Sequence, residues 1–420
     1  MIQTYHLLPG VTLRVFRDSR FKQGCLSFQM IRPMDSREAS LNALLPSVLL
    51  RGTRRHTNLR SITEHLDSLY GASVGNLVRR VGDRQTVGLY CGFMDDRFAL
   101  PGDKVLAPML GFLEELLLEP LVQDDAFLPE IVDSEKKNLI ATIESELNDK
   151  RAYAMGRMLR TMCREDSFGL PRLGTAEQVA AIEPRALYAH FQKILRESPM
   201  EFFYVGSGDP DAIREALTDL LRKVDRAPMA MPEQRPLTPG PGSDVTEEMD
   251  VTQGKLCMGF TTPITNRSPE FPAMQLLNTL FGAGMTSKLF MNVREKLSLC
   301  YSVGSGYYST KGILTVSAGI DFDKEQLTRE ETLRQLEACR SGEITQEELK
   351  AAKESICSGI RATHDSPGAI ESYYCASLLT GSCRSAEGYL EEIRRVTLSD
   401  VVAAAQSLTL RGCYFLRGEV

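Results

Sequence analysis

A chain of 420 residues with 43% hydrophobic and 25% charged side chains has the composition of a globular protein and the length for two domains of ordinary size. Its formal net charge of -6, with no strongly basic run, gives no electrostatic reason to expect nucleic acid. Residues 1–10 lack a basic start followed by an apolar core, and no apolar run approaches a membrane span, so we expect a cytoplasmic protein without membrane contact.

In chain order, Val11 to Arg17 and Gly24 to Arg32 alternate as strands do, with Asp18 to Gln23 as the turn between them. Ser36 to Leu50 predicts a helix ended by Arg51-Gly52-Thr53. Leu59 to Leu69 predicts a second, with Ile62, Leu66 and Leu69 on one face. Gly71 to Val81 and Arg84 to Phe93 form a hairpin around Gly82-Asp83. Val105 to Leu118 is an apolar helix, and Phe127 to Arg164 a long helical stretch broken near Asn148-Asp149. Glu183-Pro184 opens a further helix and Glu201 to Val205 is a strand. Gly206-Ser207-Gly208 runs into Asp209-Pro210, which makes a turn and offers an anion nothing.

Arg226 to Ser243 breaks the pattern. Pro228, Pro232, Pro236, Pro239 and Pro241, with Gly240 and Gly242, leave no room for a helix or an inner strand, so this is an extended linker. Beyond it the order of elements repeats in outline. Lys255 to Thr261 is a strand, Glu270 to Leu280 and Thr286 to Leu297 are helices, and Leu299 to Tyr307 with Gly312 to Ile320 is a hairpin. Gln326 to Arg340 and Thr345 to Ala362 are helices, and Gly412 to Leu416 a last strand. The expected architecture is α+β: two related domains, 1–225 and 244–420, joined by the linker 226–243, each an antiparallel sheet with helices on one side.

The stretch richest in candidate chemistry is Leu280 to Val303. Gly282-Ala283-Gly284 permits backbone angles that larger side chains resist, and Thr286 or Ser287 can cap the helix that follows. Arg294 late in that helix and Tyr301 at the start of the next strand could converge as carbonyl-polarising donors. Spacing alone favours the ordinary roles: an arginine complementing the helix dipole and a tyrosine packing in a sheet. The ten cysteines form no C-x-x-C, and Cys300 beside Tyr301 has no histidine near it in sequence to serve as its base. No two of His6, His56, His65, His190 and His364 stand three to five residues apart, so each is expected at the surface or in packing rather than on a metal.

The phrase L-F-G-A-G-M-T-S-K-L-F-M-N-V-R-E-K-L-S-L-C-Y resembles the second-domain phrase of pitrilysin-family (insulinase-like) zinc peptidases, of the type L-G-G-G-x-x-S-R-L-F…R-E-x-x-G-L-x-Y. The resemblance implies two related domains facing each other like a clamshell. It also implies that Arg294 and Tyr301 reach the substrate at a zinc ion held elsewhere, with Gly282 and Gly284 in a substrate-binding loop. A working member would carry H-x-x-E-H before Gly52-Thr53. Here the two histidine positions are Ala43 and Ser47, the glutamate position is Pro46, and the later glutamate ligand is Thr142. Alanine has no donor atom, proline no exchangeable proton, and serine is a poor zinc ligand. The resemblance therefore points to the family's inactive-subunit branch. Such a chain binds no cofactor of its own and forms a heterodimer with a zinc-bearing sister, acting on a peptide substrate. A homodimer in isolation and a non-proteolytic scaffold or peptide-binding protein of the same fold are the alternatives.

Overall fold

In the computed structural model the described residues are 2–238, 240, 242–382 and 384–418. The linker residues Pro239 and Pro241 and the cysteine Cys383 lie outside them. The chain divides into two compact units that are not contiguous in sequence. Unit 1 takes the chain up to Glu144, then Leu170–Glu233 and His364–Ala376. Unit 2 takes Ser145–Gly169, Gln234–Thr363 and Ser377 onward. The passage from Glu233 to Gln234 falls inside the expected linker, but each expected domain gives one helical segment to the other unit.

Unit 1 is built on β1 (Ile2–Leu8), β2 (Val11–Arg17), β3 (Gln23–Pro33), β4 (Ser73–Val81) and β5 (Arg84–Met94). A two-residue ladder of β6 (Val122–Gln123) with β7 (Ala126–Phe127) precedes its last strand, β8 (Met200–Gly206). The sheet order is β1-β2-β8-β3-β5-β4. Asp18 to Gln23 thus joins two strands that are not neighbours: β8 lies between them, parallel to β2 and antiparallel to β3. Almost all of β8 is buried, which suits a central position. The expected hairpin forms with Val81 opposite Arg84 across Gly82, whose φ of +61° is one that glycine adopts without strain.

Alternation sends Leu13, Leu26, Phe28 and Phe202 to one face of the sheet. There they pack with Leu45 and Leu49 of helix Ala39–Leu49, Leu113 and Leu116 of Leu106–Leu118, and Leu217 of Pro210–Arg222. That last helix grows from the expected turn at Asp209-Pro210, the Asp209 carboxylate accepting from Asp211 N (3.2 Å). The opposite face carries Phe16, Gln29 and Phe203 and is covered by the segment His364–Ala376. The Gln29 amide donates to Cys375 Sγ (2.7 Å), and Tyr374 stacks on Phe203 with ring centroids 6.5 Å apart.

Unit 2 repeats this topology. β9 (Ser243–Glu248), β10 (Gly254–Thr261), β11 (Cys300–Tyr308), β12 (Ile313–Ile320) and β13 (Thr409–Arg417) are ordered β11-β12-β10-β13-β9. Again a late strand, β13, is inserted beside a parallel partner, β9, and again a hairpin closes one edge. Each sheet is otherwise antiparallel, as expected, and the five strands of unit 2 correspond in order to β4, β5, β3, β8 and β2 of unit 1, β1 having no counterpart. Helices Phe271–Asn278, Glu325–Ser341 and Leu398–Gln406 pack on Leu256, Met258, Phe260 and Phe415. The break at Asn148-Asp149 is real: Asp149 caps the new helix Lys150–Met162 by accepting from Ala152 N (3.0 Å). That helix lays Ala154 and Met158 on the other sheet face, against Cys257, Ile313 and Tyr414. To the helices expected on one side, each sheet therefore adds a single helix on the other.

The described part of the linker is tied down on both sides of the passage between the units. Arg226 donates to the carbonyls of Leu195 (2.7 Å) and Ser198 (2.6 Å), and Leu237 N donates to Lys311 O (2.9 Å). No helix among the described residues is long and apolar enough to cross a membrane.

Candidate functional site

The stretch Leu280–Val303 lies wholly in unit 2. Its glycines do not serve as the sequence suggests, because neither Gly282 nor Gly284 has a left-handed backbone. Gly282 sits in wide helical turns that prolong helix Phe271–Asn278, and a Cβ there would lie 2.7 Å from Ser305 Oγ and 2.8 Å from a Leu289 methyl. Close approach, rather than freedom of φ, demands a glycine at 282. Ser287 is the cap, its hydroxyl accepting from Phe290 N (3.3 Å).

The next helical segment, Leu289–Lys296, is wound more widely than an α-helix, so that Leu297 N reaches Asn292 O (3.1 Å) and Leu299 N reaches Val293 O (3.0 Å). Such widened turns occur often at functional sites. Ser298 then takes φ +49°, a left-handed conformation uncommon for a residue with a side chain, and β11 begins two residues later.

Arg294 points outward from this segment, its side chain 39% exposed. Its guanidinium lies 4.7 Å from the centroid of the Phe290 ring and 3.4 Å from the Glu295 carboxylate. Tyr301 is 63% exposed. It occupies a β-bulge: Cys300 pairs with Ile320 and Ser302 with Gly319, leaving Tyr301 without a partner between them. A bulge re-aims a side chain away from the ladder. The Tyr301 hydroxyl donates to Asp321 Oδ1 (2.9 Å), and Asp321 pairs with Lys324 (2.8 Å). The hydrogen bond to Asp321 raises the Tyr301 pKa, which keeps the phenol protonated and a donor. Arg294 and Tyr301 thus stand at the surface of one unit with different partners, and no hydrogen bond joins them.

Cys300 is buried, and its thiol is pushed up to about 11 by burial, against the pull of Arg294 and Lys324. A thiol so far from ionising is no nucleophile at neutral pH.

The positions the resemblance assigns to a metal do not form a donor set. Ala43 and Pro46 are buried in the core side of helix Ala39–Leu49. The Ser47 hydroxyl accepts from the Asn76 amide (3.0 Å), and the Thr142 hydroxyl donates to Asn138 O one turn back (2.9 Å). Glu135, a carboxylate on the same helix as Thr142, is buried and ion-paired to Arg51. Zinc does not fit these residues. Among the described residues no group of three or more His, Cys, Asp or Glu side chains is placed to hold a metal ion.

Two arrangements escaped the sequence. His56 and His65, nine apart in the chain, stack with ring centroids 4.7 Å apart on Phe112, and His56 Nε2 lies 3.8 Å from the buried Glu115. Burial, with the charge of His56 beside it, lowers the pKa of His65. Beneath helix Ala39–Leu49, Asn42 donates to Gln85 Oε1 (2.8 Å), and its own carbonyl oxygen meets His190 Nε2 (2.7 Å) in a fully enclosed polar cluster. Neither pairing leaves a local signal, since the partners come from different elements.

A family model described as Peptidase M16 inactive domain matches residues 181–356. The chain is 29% identical over 409 residues to the "Probable inactive metalloprotease YmfF" of Bacillus subtilis strain 168, covering 97% of this chain and 96% of that protein. The crystal structure of a conserved protein from Enterococcus faecalis V583 is similar with a TM-score of 0.91 at 27% identity, covering 100% of this chain and 99% of that one. The crystal structure of a peptidase M16 inactive domain from Pseudomonas fluorescens shares the fold, with a TM-score of 0.82 at 17% identity and coverage of 100% and 98%.

Proposed function

The chain being a homologue of the M16 metallopeptidases, of the inactive kind, we propose that it is the non-catalytic partner of a zinc-bearing sister and lends Arg294 and Tyr301 to a shared peptide-cleaving site. One observation carries the reading: both side chains face solvent from a segment within the family match, and their present partners are easily exchanged. Arg294 is ion-paired to its neighbour Glu295 and lies over the Phe290 ring, while Tyr301 bonds to the half-exposed Asp321.

The chemistry suits the role. A guanidinium and a protonated phenol are both donors. Turned toward a scissile carbonyl oxygen, they stabilise the negative charge that develops there, whichever chain supplies them. Around them Met285, Met291 and Leu297 are exposed, giving adaptable apolar surface for peptide side chains. β11 is an edge strand, so its outer backbone groups are open to an extended peptide added alongside. Gly284, partly exposed, would border the bound peptide, while the buried Gly282 would support that loop from beneath. Zinc and its chemistry are left to the sister, because Ala43, Pro46, Ser47 and Thr142 offer nothing in their place.

The test is purification at native expression level, with identification of any chain recovered in equal amount and a zinc assay on the complex. A zinc-bearing M16 partner whose peptide cleavage rises on adding this chain supports the proposal. Recovery without such a partner, and no gain in cleavage on mixing, favours the scaffold role.

A further inference from the structure

Unit 2 contains an open groove of about 700 Å³ between the start of helix Phe271–Asn278 and the helices Ala386–Arg395 and Leu398–Gln406. Ligand pockets commonly span roughly 300–1,000 Å³. Ile264, Pro272, Ala273, Val396 and Ala404 are buried and give it an apolar floor.

One wall is the loop from Pro263 to Pro269, and that loop is fixed in place. Asn266 N donates to Ser309 O (2.9 Å), its side-chain amide donates to Thr380 Oγ1 (2.6 Å), and Arg384 donates to its carbonyl (2.6 Å). Tyr307 holds the Ile264 carbonyl. A wall already ordered loses little entropy when a ligand arrives.

The charge on the rim is net negative. Glu270, Glu392 and Asp400 line the groove against a single cation, Arg395. Arg395 is paired with Glu391 (3.2 Å), and Glu392 with Arg384 (2.9 Å). Glu270 and Asp400 have no ion-pair partner among the described residues. Asp400 accepts from Thr397 N (2.8 Å) and Thr397 Oγ1 (2.7 Å), which hold its carboxyl below the usual range and so keep it ionised. Lys353 acts on it only through space, its own ammonium being bonded to the carbonyls of Arg394 (2.9 Å) and Val396.

We propose that this groove is a peptide-docking site for a segment that carries lysine or arginine beside apolar residues. The apolar side chains would lie on the floor, and the cation would be drawn to Glu270 and Asp400. An anionic ligand would meet three carboxylates, and the apolar floor beside them suits a segment that carries both apolar and cationic side chains. The site is independent of Arg294 and Tyr301, and its failure would leave their role untouched.

The test is titration of the full-length protein with two amidated five-residue peptides, one alternating leucine with arginine and one alternating leucine with glutamate. The arginine peptide should bind saturably and weaken as salt rises, while the glutamate peptide does not bind. Glu270→Gln, at an exposed residue with no bond to lose, should weaken binding about tenfold. Ala403→Trp, on an exposed wall, should block it while leaving the thermal midpoint unchanged. Equal binding of the two peptides, binding of neither, or arginine-peptide binding that survives Ala403→Trp would overturn the assignment.

Discussion

Arg79 on the edge strand β4 and Glu371, 292 residues further along the chain, are joined by two hydrogen bonds of 2.9 and 2.8 Å, with Glu371 fully buried. The pair fastens the segment His364–Ala376 to the sheet of unit 1. A buried charge that loses its partner is left desolvated and uncompensated, at a cost of about 3–5 kcal/mol. Arg79→Ala should therefore lower the unfolding free energy of unit 1 by about that amount. Replacing both residues by leucine should cost less than the single change, as measured by urea unfolding. A single variant as stable as the parent would show that the pair contributes nothing.

Glu247 on β9 does the corresponding work in unit 2. It accepts from the Tyr153 hydroxyl (2.7 Å), Arg157 Nε (2.9 Å) and the Tyr414 hydroxyl (2.6 Å), gathering helix Lys150–Met162 onto the sheet. Burial works to raise its carboxyl pKa, but bonds from Tyr414 and Tyr153 and the charge of Arg157 win, and the net shift is downward. A lowered carboxylate adds stability above its unfolded pKa, near 4.5, and loses that contribution as pH falls through the folded value. Glu247→Ala should loosen the helix, seen as faster trypsin cleavage after Arg157 and Arg160. It should also remove part of the acid sensitivity below about pH 4.5.

His190 sets a second pH dependence at a higher window. Its pKa is pushed down to about 4, chiefly by burial, with Arg32 and Lys193 acting in the same direction and Glu38 opposing. Because the unfolded histidine takes up a proton near pH 6.5, stability is complete above that value. It falls as the pH drops from about 6.5 toward 4, by about 3 kcal/mol at most. His190→Gln, whose amide can still donate to Asn42, should flatten the stability profile across this window. An unchanged slope between pH 7 and 5 would exclude His190 as its source.

For the proposed shared site, Arg294→Ala or Tyr301→Phe should lower turnover by the pair about a hundredfold, as loss of one oxyanion donor typically does. Both residues are exposed, so the isolated chain should keep its stability within about 0.5 kcal/mol. Association with the sister, followed by analytical ultracentrifugation, should be unaffected. An unchanged rate would return both residues to packing and dipole roles.

Ser298 offers a change in the opposite direction. Its φ of +49° is strained for any residue with a Cβ, so Ser298→Gly should stabilise unit 2. Roughly 1 kcal/mol is the scale of the left-handed penalty. A thermal midpoint that falls would show that the Ser298 side chain, rather than its backbone, is what the turn needs.

What the sequence disclosed follows the range of the forces involved. The Gly82 hairpin, the Asp149 break and the Ser287 cap are local devices, and each is legible in a few residues. The insertion of β8 between β2 and β3, and of β13 between β9 and β10, depends on partners far along the chain. No short window encodes it. β1 and β9 are half exposed and escaped notice, as did helix Pro367–Leu379, apolar on more sides than one stripe would explain. Arg294 and Tyr301 were visible because a continuous phrase carries them. The groove was not, since its floor is drawn from Ile264 to Ala273 and from Val396 to Ala404.

The trading of one helix between the halves has a consequence for the gene as much as for the protein. Neither half, made alone, would possess the lining for the back of its own sheet; that lining is encoded in the other half. A cut in the proline-rich crossing should therefore leave two fragments that are insoluble apart and recover when produced together.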